Sequence, residues 1–252
     1  MVRAGPGLDK APDPSAGPVD AQAVRRMFDG IARHYDILNT VLSVGRDAAW
    51  RRRAVRAANL RRGNTALDVC CGTGALSREL LTAVSPGGRV VGIDFSPGML
   101  AEARRRVPGV DFRRGDATRL DGISDGSVDA VTIAFGLRNI GDRRGALLAA
   151  HRVLRPERRL VLLEFSQVRG RVYGGFYRWY LTRLLPRAGR LLNPRSEAYS
   201  YLPASIAVYP DAGEVSAWLR SAGFVDVHAT RMTAGVVTLH VASRPAAGPP
   251  QP

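Results

Sequence analysis

The chain has 252 residues, of which 45% are hydrophobic, so it can bury one sizeable core and does not require a second. No apolar run reaches the roughly 18–20 residues that span a bilayer, and the first residues lack the apolar core of a signal peptide, which predicts a cytoplasmic location. The formal net charge is +15, but Lys10 is the only lysine and the arginines are scattered along the chain. Scattered arginines are typical of a solvated surface, which argues against nucleic acid as the partner.

Both ends of the chain are predicted to be disordered. Residues 1–19 and 245–252 are rich in Gly, Pro and Ala and show no periodicity. A single domain is predicted over residues 20–244, because no repeat or linker interrupts it. The two cysteines, Cys70 and Cys71, are adjacent, so they suit neither a disulfide framework nor a zinc site, and no metal is predicted.

Two helices are predicted ahead of the first strand. The first has apolar residues at helical spacing, namely Val24, Met27, Phe28 and Ile31. The second is predicted from Asp47 to Asn59. Between them, a helix-to-loop passage carries three hydrogen-bonding side chains: Tyr35, Asp36 and Asn39.

The central motif is a strand, a glycine turn and the start of a helix. An apolar run from Ala66 to Cys71 breaks into Gly72-Thr73-Gly74, and a helical pattern follows. Glycines allow a ligand to approach the backbone closely, and a helix N-terminus offers free N–H groups. A second strand, Arg89–Ile93, ends in Asp94, 22 residues after Gly72. An acid at that position can accept hydrogen bonds from ribose hydroxyls.

Two nucleoside ligands suit this motif. A dinucleotide favours a third glycine where this chain has Ser77, and its pyrophosphate would lie near Asp68. S-adenosylmethionine (SAM) has no phosphate and carries an ammonium and a sulfonium, which suit Asp68. The pair of Asp68 and Asp94 therefore favours SAM. The simpler alternative is a glycine turn that only connects two elements.

The remaining strands alternate with helices. Ser96-Pro97 predicts a helix start, and strands are predicted at 110–114, 128–134 and 160–164, with a helix from Asp142 to Leu154. A helix over 212–222 and two strands over 225–230 and 236–242 close the chain. This alternation predicts an α/β fold with a doubly wound, mostly parallel sheet of seven strands behind N-terminal helices.

Polar residues follow the third and fourth of these strands. Asp116 and Ala117 follow the third, and Ala134 ends the fourth, with Arg138 and Asn139 in the next loop. Ligands in open α/β sheets bind outside the carboxyl ends of the strands. Arg138 and Asn139 are therefore predicted to face the same crevice as Asp94.

The segment 170–192 interrupts the alternation with interleaved aromatic residues and arginines. Two interpretations are equally favoured: a lid helix over the site, or a surface that contacts a hydrophobic substrate or a membrane.

Together these residues resemble the C-methyltransferases of quinone biosynthesis that act on demethylmenaquinone and on the ubiquinone precursor. The resemblance covers roughly Val24 to Arg244. The matching stretches are Tyr35–Gly45 with Trp50, Phe135–Asn139, Arg152–Pro156 with Leu163–Ser166, Tyr201–Ile206, and Thr233–Val237 with His240. The chain departs from the family pattern at several positions, among them Ala134, where the family usually has serine, and Asp47, where it has histidine.

The resemblance implies a Rossmann-like, class I SAM-dependent methyltransferase whose substrate is a prenylated quinol, with demethylmenaquinol as the favoured one. By position it implies cofactor contacts at Thr73, Asp94, Asp116-Ala117 and Ala134, in addition to Asp68, Gly72 and Gly74 from the motif. A location at the inner face of the membrane and a homodimer stay open.

Ring-carbon methylation requires a nucleophilic carbon, which a neighbouring hydroxyl provides when it loses its proton. Arg138 is the candidate for stabilising the resulting phenolate, with Asn139, Tyr35 and Asp36 to hold the ring oxygens or relay the proton. The alternative for Arg138 is a structural ion pair. Other functions considered are methylation of the ubiquinone precursor or another aromatic compound, an RNA methyltransferase, and a non-catalytic SAM-binding scaffold.

Overall fold

Seven strands form one sheet in the order β3-β2-β1-β4-β5-β7-β6. They belong to a computed structural model that describes residues 21–33, 35–168 and 198–247. The predicted N-terminal tail, the segment 170–192 and residues 248–252 lie outside the described residues. The strands are β1 Thr65–Val69, β2 Arg89–Asp94, β3 Asp111–Arg114, β4 Val128–Ala134, β5 Leu154–Phe165, β6 Val225–Met232 and β7 Val237–Ser243.

The helices follow the alternation that the sequence predicted. They are α1 Ala21–Ile31, α2 Tyr35–Leu42, α3 Asp47–Ala57, α4 Ala75–Val84, α5 Pro97–Arg106, α6 Arg143–Val153, α7 Ala198–Ala207 and α8 Ala212–Ser221. Strands β1 to β5 pair in parallel, and β7 runs antiparallel between β5 and β6. The predicted doubly wound, mostly parallel sheet is therefore confirmed. None of the described helices is long and apolar enough to cross a membrane.

The central strands are buried on both faces, as parallel sheets require. Leu67 and Ile133 lie in a core cluster on one side, while Ala66 packs in a cluster with α4. The order of the strands reverses between β1 and β4, because the chain moves outward to β3 and then returns to the centre. Such a switch point opens a crevice at the carboxyl ends of the strands.

Side-chain caps fix where several helices begin. Ser96 Oγ accepts a hydrogen bond from the backbone N–H of Met99 at 3.1 Å, which starts α5 at Pro97 as predicted. Asp142 caps α6 in the same way, by accepting from Gly145 N at 2.8 Å. These caps set the direction in which each helix leaves the carboxyl edge of the sheet.

The sequence prediction was wrong or incomplete in two places. Tyr35, Asp36 and Asn39 lie within helix α2, not at a helix-to-loop passage. Helix α7 was not predicted, and it contains Pro203, which removes a backbone donor and hides the helical pattern. Both helices pack near the crevice, so the differences matter for the site.

One close backbone approach joins the turns after β1 and β4. A Cβ built on Gly136 would lie 2.4 Å from Cys70 Cβ and 2.9 Å from Cys70 Sγ. Cys70 itself has a left-handed φ of 58°. Glycine is therefore required at position 136, because there is no space for a Cβ atom beside Cys70.

We expect Gly136→Ala to lower the free energy of unfolding by about 1–3 kcal/mol through overpacking, as measured by denaturant titration. Adding Cys70→Gly should restore most of this loss, because it removes the atoms that the new methyl group meets. Gly30→Ala is the control, since a Cβ there meets nothing within 4 Å and alanine favours the helix. Equal effects of the two glycine substitutions would contradict the packing explanation.

Candidate active site

The turn after β1 is shaped by left-handed backbone conformations. Gly72 has a φ of 55° and Gly74 has a φ of 79°. A Cβ on Gly74 would come within 2.8 Å of the Phe112 ring, whereas a Cβ on Gly72 would meet only the Tyr35 ring, at 3.9 Å. Gly74 is therefore needed for packing. Gly72 leaves the backbone accessible to a ligand.

Asp94 connects this turn to the next one. Its Oδ2 accepts a hydrogen bond from Gly72 N at 2.9 Å, and its Oδ1 accepts from Ser96 N at 2.9 Å. The carboxylate is buried, and this burial raises its pKa to about 6, although the backbone donors of Ser96 and Gly72 oppose the shift. Asp94 thus lies where two strand ends meet, with a pKa close to neutrality.

Asp68 lies deeper than Asp94. Its oxygens accept from Ser77 Oγ at 2.6 Å and from Thr132 Oγ1 at 2.8 Å, and only 1% of the residue is exposed. Burial raises its pKa to about 6, against the effect of the two hydroxyl donors. Asp68 lines a small pocket that adjoins the main cavity, and its hydrogen bonds join β1 to helix α4 and strand β4.

The main cavity has a volume of about 750 Å³, within the range of small-molecule sites. It opens at the carboxyl ends of β1, β2, β3 and β4. The predicted site residues in its wall are Tyr35, Gly72, Asp94, Asp116, Ala117, Ala134 and Asn139. Residues from five separate regions of the sequence therefore meet at one crevice.

Helix α1 forms a wall of this cavity that the sequence did not predict. Gln22, Arg25 and Phe28 line the cavity. The Asp29 carboxylate holds the helix in place, because it accepts from Ser96 Oγ at 2.5 Å and from Gly98 N at 2.9 Å. The sequence showed that this helix is amphipathic but contained no signal for where it docks.

A smaller pocket of about 40 Å³ adjoins the turn and shares Tyr35, Cys70 and Gly72 with the main cavity. Thr73 Oγ1 donates to Asp36 Oδ1 at 2.7 Å, and the other oxygen of Asp36 is ion-paired with Arg106. The structure thus brings Asp36 and Thr73 together here, away from the main cavity. Both oxygens of Asp36 already have partners.

Arg138 is buried in an ion pair. Its Nη1 donates to Glu164 Oε1 at 2.6 Å and to the Phe135 carbonyl at 2.6 Å. Burial opposes the charged guanidinium, but Glu164 outweighs this effect and the pKa of Arg138 is raised. Its Nε is buried and has no hydrogen-bond partner among the residues that the structure describes.

Arg138 is thus both part of a structural ion pair and the carrier of an unused donor. It lies next to Asn139 but does not line the main cavity. Glu164, which sequence reasoning gave no role, is an acid at the carboxyl end of β5. The rule that selected Asp94 at the end of β2 could have found it.

Tyr35 lies between the two pockets. Burial raises the pKa of its hydroxyl, while the positive charge of Arg138 and a hydrogen bond with Asn39 act in the opposite direction. The phenol is therefore protonated at neutral pH and can donate a hydrogen bond.

Among the described residues no group of three His, Cys, Asp or Glu side chains could hold a metal ion.

Comparison with known proteins decides the family. The model of the ubiE/COQ5 methyltransferase family matches residues 17–244. The chain belongs to this family. The result confirms the resemblance seen in the sequence, and the protein is a SAM-dependent methyltransferase.

Two relatives and one solved structure show how far the similarity extends. The demethylmenaquinone methyltransferase of Mycolicibacterium vanbaalenii is 43% identical over 226 residues, covering 89% of this chain and 96% of that relative. The protein of the same name from Beutenbergia cavernae is 43% identical over 237 residues, covering 94% and 93%. A SAM-dependent methyltransferase structure from Aquifex aeolicus shares the fold, with a TM-score of 0.56, 20% identity and coverage of 76% and 88%.

The described cavity fits SAM. The open backbone at Gly72 leaves room for the ligand, and the Asp94 carboxylate is available to hydroxyl donors. Asp116 accepts from Thr118 N at 2.8 Å, which fixes its side chain at the cavity wall. Ala134 lines both pockets and offers no side-chain hydrogen bond.

We expect the affinity for SAM to fall as the pH is lowered through about 6, by up to about tenfold per pH unit. The folded, unliganded protein holds the pKa of Asp94 at about 6, above its ordinary value of 3.8, so the carboxylate that ribose hydroxyls need becomes protonated below that pH. Isothermal titration between about pH 5 and pH 7.5 measures this.

Asp68→Asn is the matched control, because the pKa of Asp68 is also about 6. That variant should keep the part of the pH dependence that Asp94 causes, whereas Asp94→Asn should bind more weakly and lose it. A dissociation constant that does not change over this range would contradict the assignment of Asp94.

Proposed function

We propose that this methyltransferase methylates a ring carbon of demethylmenaquinol, in the biosynthesis of menaquinone. The relatives named demethylmenaquinone methyltransferase are 42–44% identical over most of the chain. The observation that carries the proposal is the buried Arg138, which Glu164 keeps charged directly next to Asn139 of the cavity wall. A cation there suits an acceptor that becomes negatively charged during the reaction.

SAM supplies an electrophilic methyl group when it is bound. The residues that would hold it are Asp94 at the ribose hydroxyls, Asp116 and Ala117 near the adenine, and the Gly72-Thr73-Gly74 turn with Asp68 below the charged amino-acid part. This assignment follows the positions of these residues around the two pockets. Backbone contacts at Ala134 would replace the hydroxyl that the family usually has there.

The acceptor would be activated by Arg138, Asn139 and Tyr35. Arg138 favours transfer of the quinol proton to solvent by stabilising the phenolate, which makes the neighbouring ring carbon nucleophilic. After that carbon has accepted the methyl group, its own proton is also lost to solvent, which restores the aromatic ring. Asn139 and Tyr35 line the cavity beside it and can hold the ring oxygens. Asp36 hydrogen-bonds Thr73, so its role is to keep helix α2, and with it Tyr35, against the glycine turn.

A turnover assay with labelled SAM tests the function directly. We expect methyl transfer to reduced, short-tail demethylmenaquinol and little transfer to a ubiquinone precursor. Transfer only to the ubiquinone precursor would change the substrate. Tight SAM binding without transfer to either quinol would favour another aromatic acceptor or a non-catalytic scaffold.

Arg138→Lys tests the role of the guanidinium. It should lower kcat on the order of 10²-fold and leave the Kd for SAM within a few fold, because lysine keeps the charge beside Glu164 but loses the Nε donor and the planar geometry. Lysine is preferred to alanine, since removing one partner of a buried pair costs about 3–5 kcal/mol of stability.

Arg155→Lys is the control, because Arg155 is likewise ion-paired with a buried acid. Arg155 pairs with Asp129 at 2.8 Å at the start of β5, at the opposite edge of the sheet from the crevice. We expect its kcat to equal that of the unchanged protein. If Arg138→Lys behaves like Arg155→Lys, Arg138 serves only as a structural ion pair.

We also propose that the segment 170–192 brings the enzyme to the cytoplasmic face of the membrane, where a prenylated quinol resides. The support is its sequence, which interleaves aromatic residues with arginines. Co-sedimentation with anionic lipid vesicles, compared with neutral ones, measures this contact. Equal recovery of the protein in the supernatant for both would contradict it.

A further inference from the structure

Helix α7 places a second tyrosine against the acceptor side of the site. Tyr201 is 4% exposed, and its hydroxyl lies 3.0 Å from Asn139 Oδ1. The two residues are 62 positions apart, so the contact exists only because α7 packs over the turn that follows β4. Tyr201 does not itself line the main cavity, whereas Asn139 does.

The direction of this hydrogen bond is determined by the second contact of the Asn139 amide, with the Phe135 carbonyl. Burial raises the pKa of Tyr201, although the nearby cations Arg138 and Arg143 oppose the shift. The hydroxyl therefore keeps its proton, but a neutral phenol can either donate or accept. The Phe135 carbonyl can only accept and lies 3.4 Å from Asn139 Nδ2, so the amide nitrogen faces Phe135 and Asn139 Oδ1 accepts from Tyr201.

The fixed amide has a chemical consequence. Asn139 Nδ2 lies 3.4 Å from the Phe135 carbonyl and carries two hydrogens, so at most one of them is used there. The other remains available on the cavity wall. A donor at this place stabilises a developing phenolate, whereas an exposed amide oxygen would repel it.

We propose that Tyr201 is a positioning residue for methyl transfer: its hydroxyl holds the Asn139 amide so that nitrogen, and not oxygen, faces the quinol oxygen. This inference rests on the proposed function. It also defines the role of Asn139, which donates to the phenolate and does not accept the quinol proton. Helix α7 thereby becomes part of the acceptor site without touching the acceptor.

A matched control exists within the same region. Tyr209 is also buried, with 3% exposure, but its hydroxyl has no hydrogen-bond partner among the described residues. Tyr201→Phe and Tyr209→Phe therefore remove the same atom from similarly buried rings. Only the first removes a hydrogen bond to a residue of the cavity wall.

We expect Tyr201→Phe to lower kcat roughly 5–30-fold with an unchanged Kd for SAM, as suits the loss of one buried hydrogen bond. Tyr209→Phe should stay within about twofold of the unchanged protein. In an Asn139→Ala background, Tyr201→Phe should have no further effect beyond about twofold, because its action passes through the amide. Asn139→Asp should lower kcat more than Asn139→Ala does, since a carboxylate places negative charge beside the phenolate.

Two results would overturn the inference while leaving the proposed function intact. One is an equal kcat for Tyr201→Phe and Tyr209→Phe in a protein that methylates demethylmenaquinol. The other is a Tyr201→Phe effect of the same size with and without Asn139. The fold of each variant is checked by its thermal midpoint, so that loss of structure is not mistaken for loss of positioning.

Failure of the proposed function has a different signature. The unchanged protein would then transfer no methyl group to any quinol, and Asn139 would have no quinol oxygen to contact. The Tyr201–Asn139 bond can be measured independently, by a double-mutant cycle on unfolding in denaturant. Additive effects in that cycle would show that the two side chains do not interact, which overturns the positioning role whatever the acceptor is.

Discussion

Both oxygens of the Asp94 carboxylate accept backbone N–H groups, one from the turn after β1 and one from the turn after β2. Parallel strands leave these turns side by side at one edge of the sheet, and a single buried acid holds them at a fixed separation. The main cavity opens directly above this link. The geometry of this cavity therefore depends on one side chain, although burial disfavours the negative charge of its carboxylate.

Three buried acids lie near the carboxyl ends of the strands, and each is stabilised differently. Asp68 accepts two hydroxyl donors, Asp94 accepts two backbone donors, and Glu164 pairs with the Arg138 guanidinium. Buried charges are costly unless they are hydrogen-bonded or paired, and strained or charged groups of this kind are concentrated at functional sites. Their positions at the ends of β1, β2 and β5 follow the carboxyl edge of the sheet.

The Arg138–Glu164 pair shows why a structural and a catalytic role are compatible. The guanidinium has several donors, and the contacts with Glu164 and Phe135 use Nη1. The ion pair orients the group and keeps it charged in a buried place, while Nε has no partner among the described residues. A preorganised cation of this kind stabilises a developing anion without first having to reorient.

The sequence alone determined the α/β fold, the glycine turn after β1, the position of Asp94 at the end of β2 and the family resemblance. Local patterns suffice for these features, because alternation, caps such as Ser96 and strand-end acids depend on near neighbours in the chain. The strand ends also predicted the crevice, since parallel strands all point their carboxyl ends to one edge.

Only the tertiary structure decided which of these residues line the main cavity and which lie behind its wall. The docking of α1 through Asp29, the pairing of Arg138 with Glu164 and the contact of Tyr201 with Asn139 join residues 26 to 69 positions apart. Helix α7 contains Pro203, which is atypical inside a helix, so the local sequence did not predict the helix or its contact with Asn139. Contacts of this range arise from packing between elements, which sequence periodicity does not record.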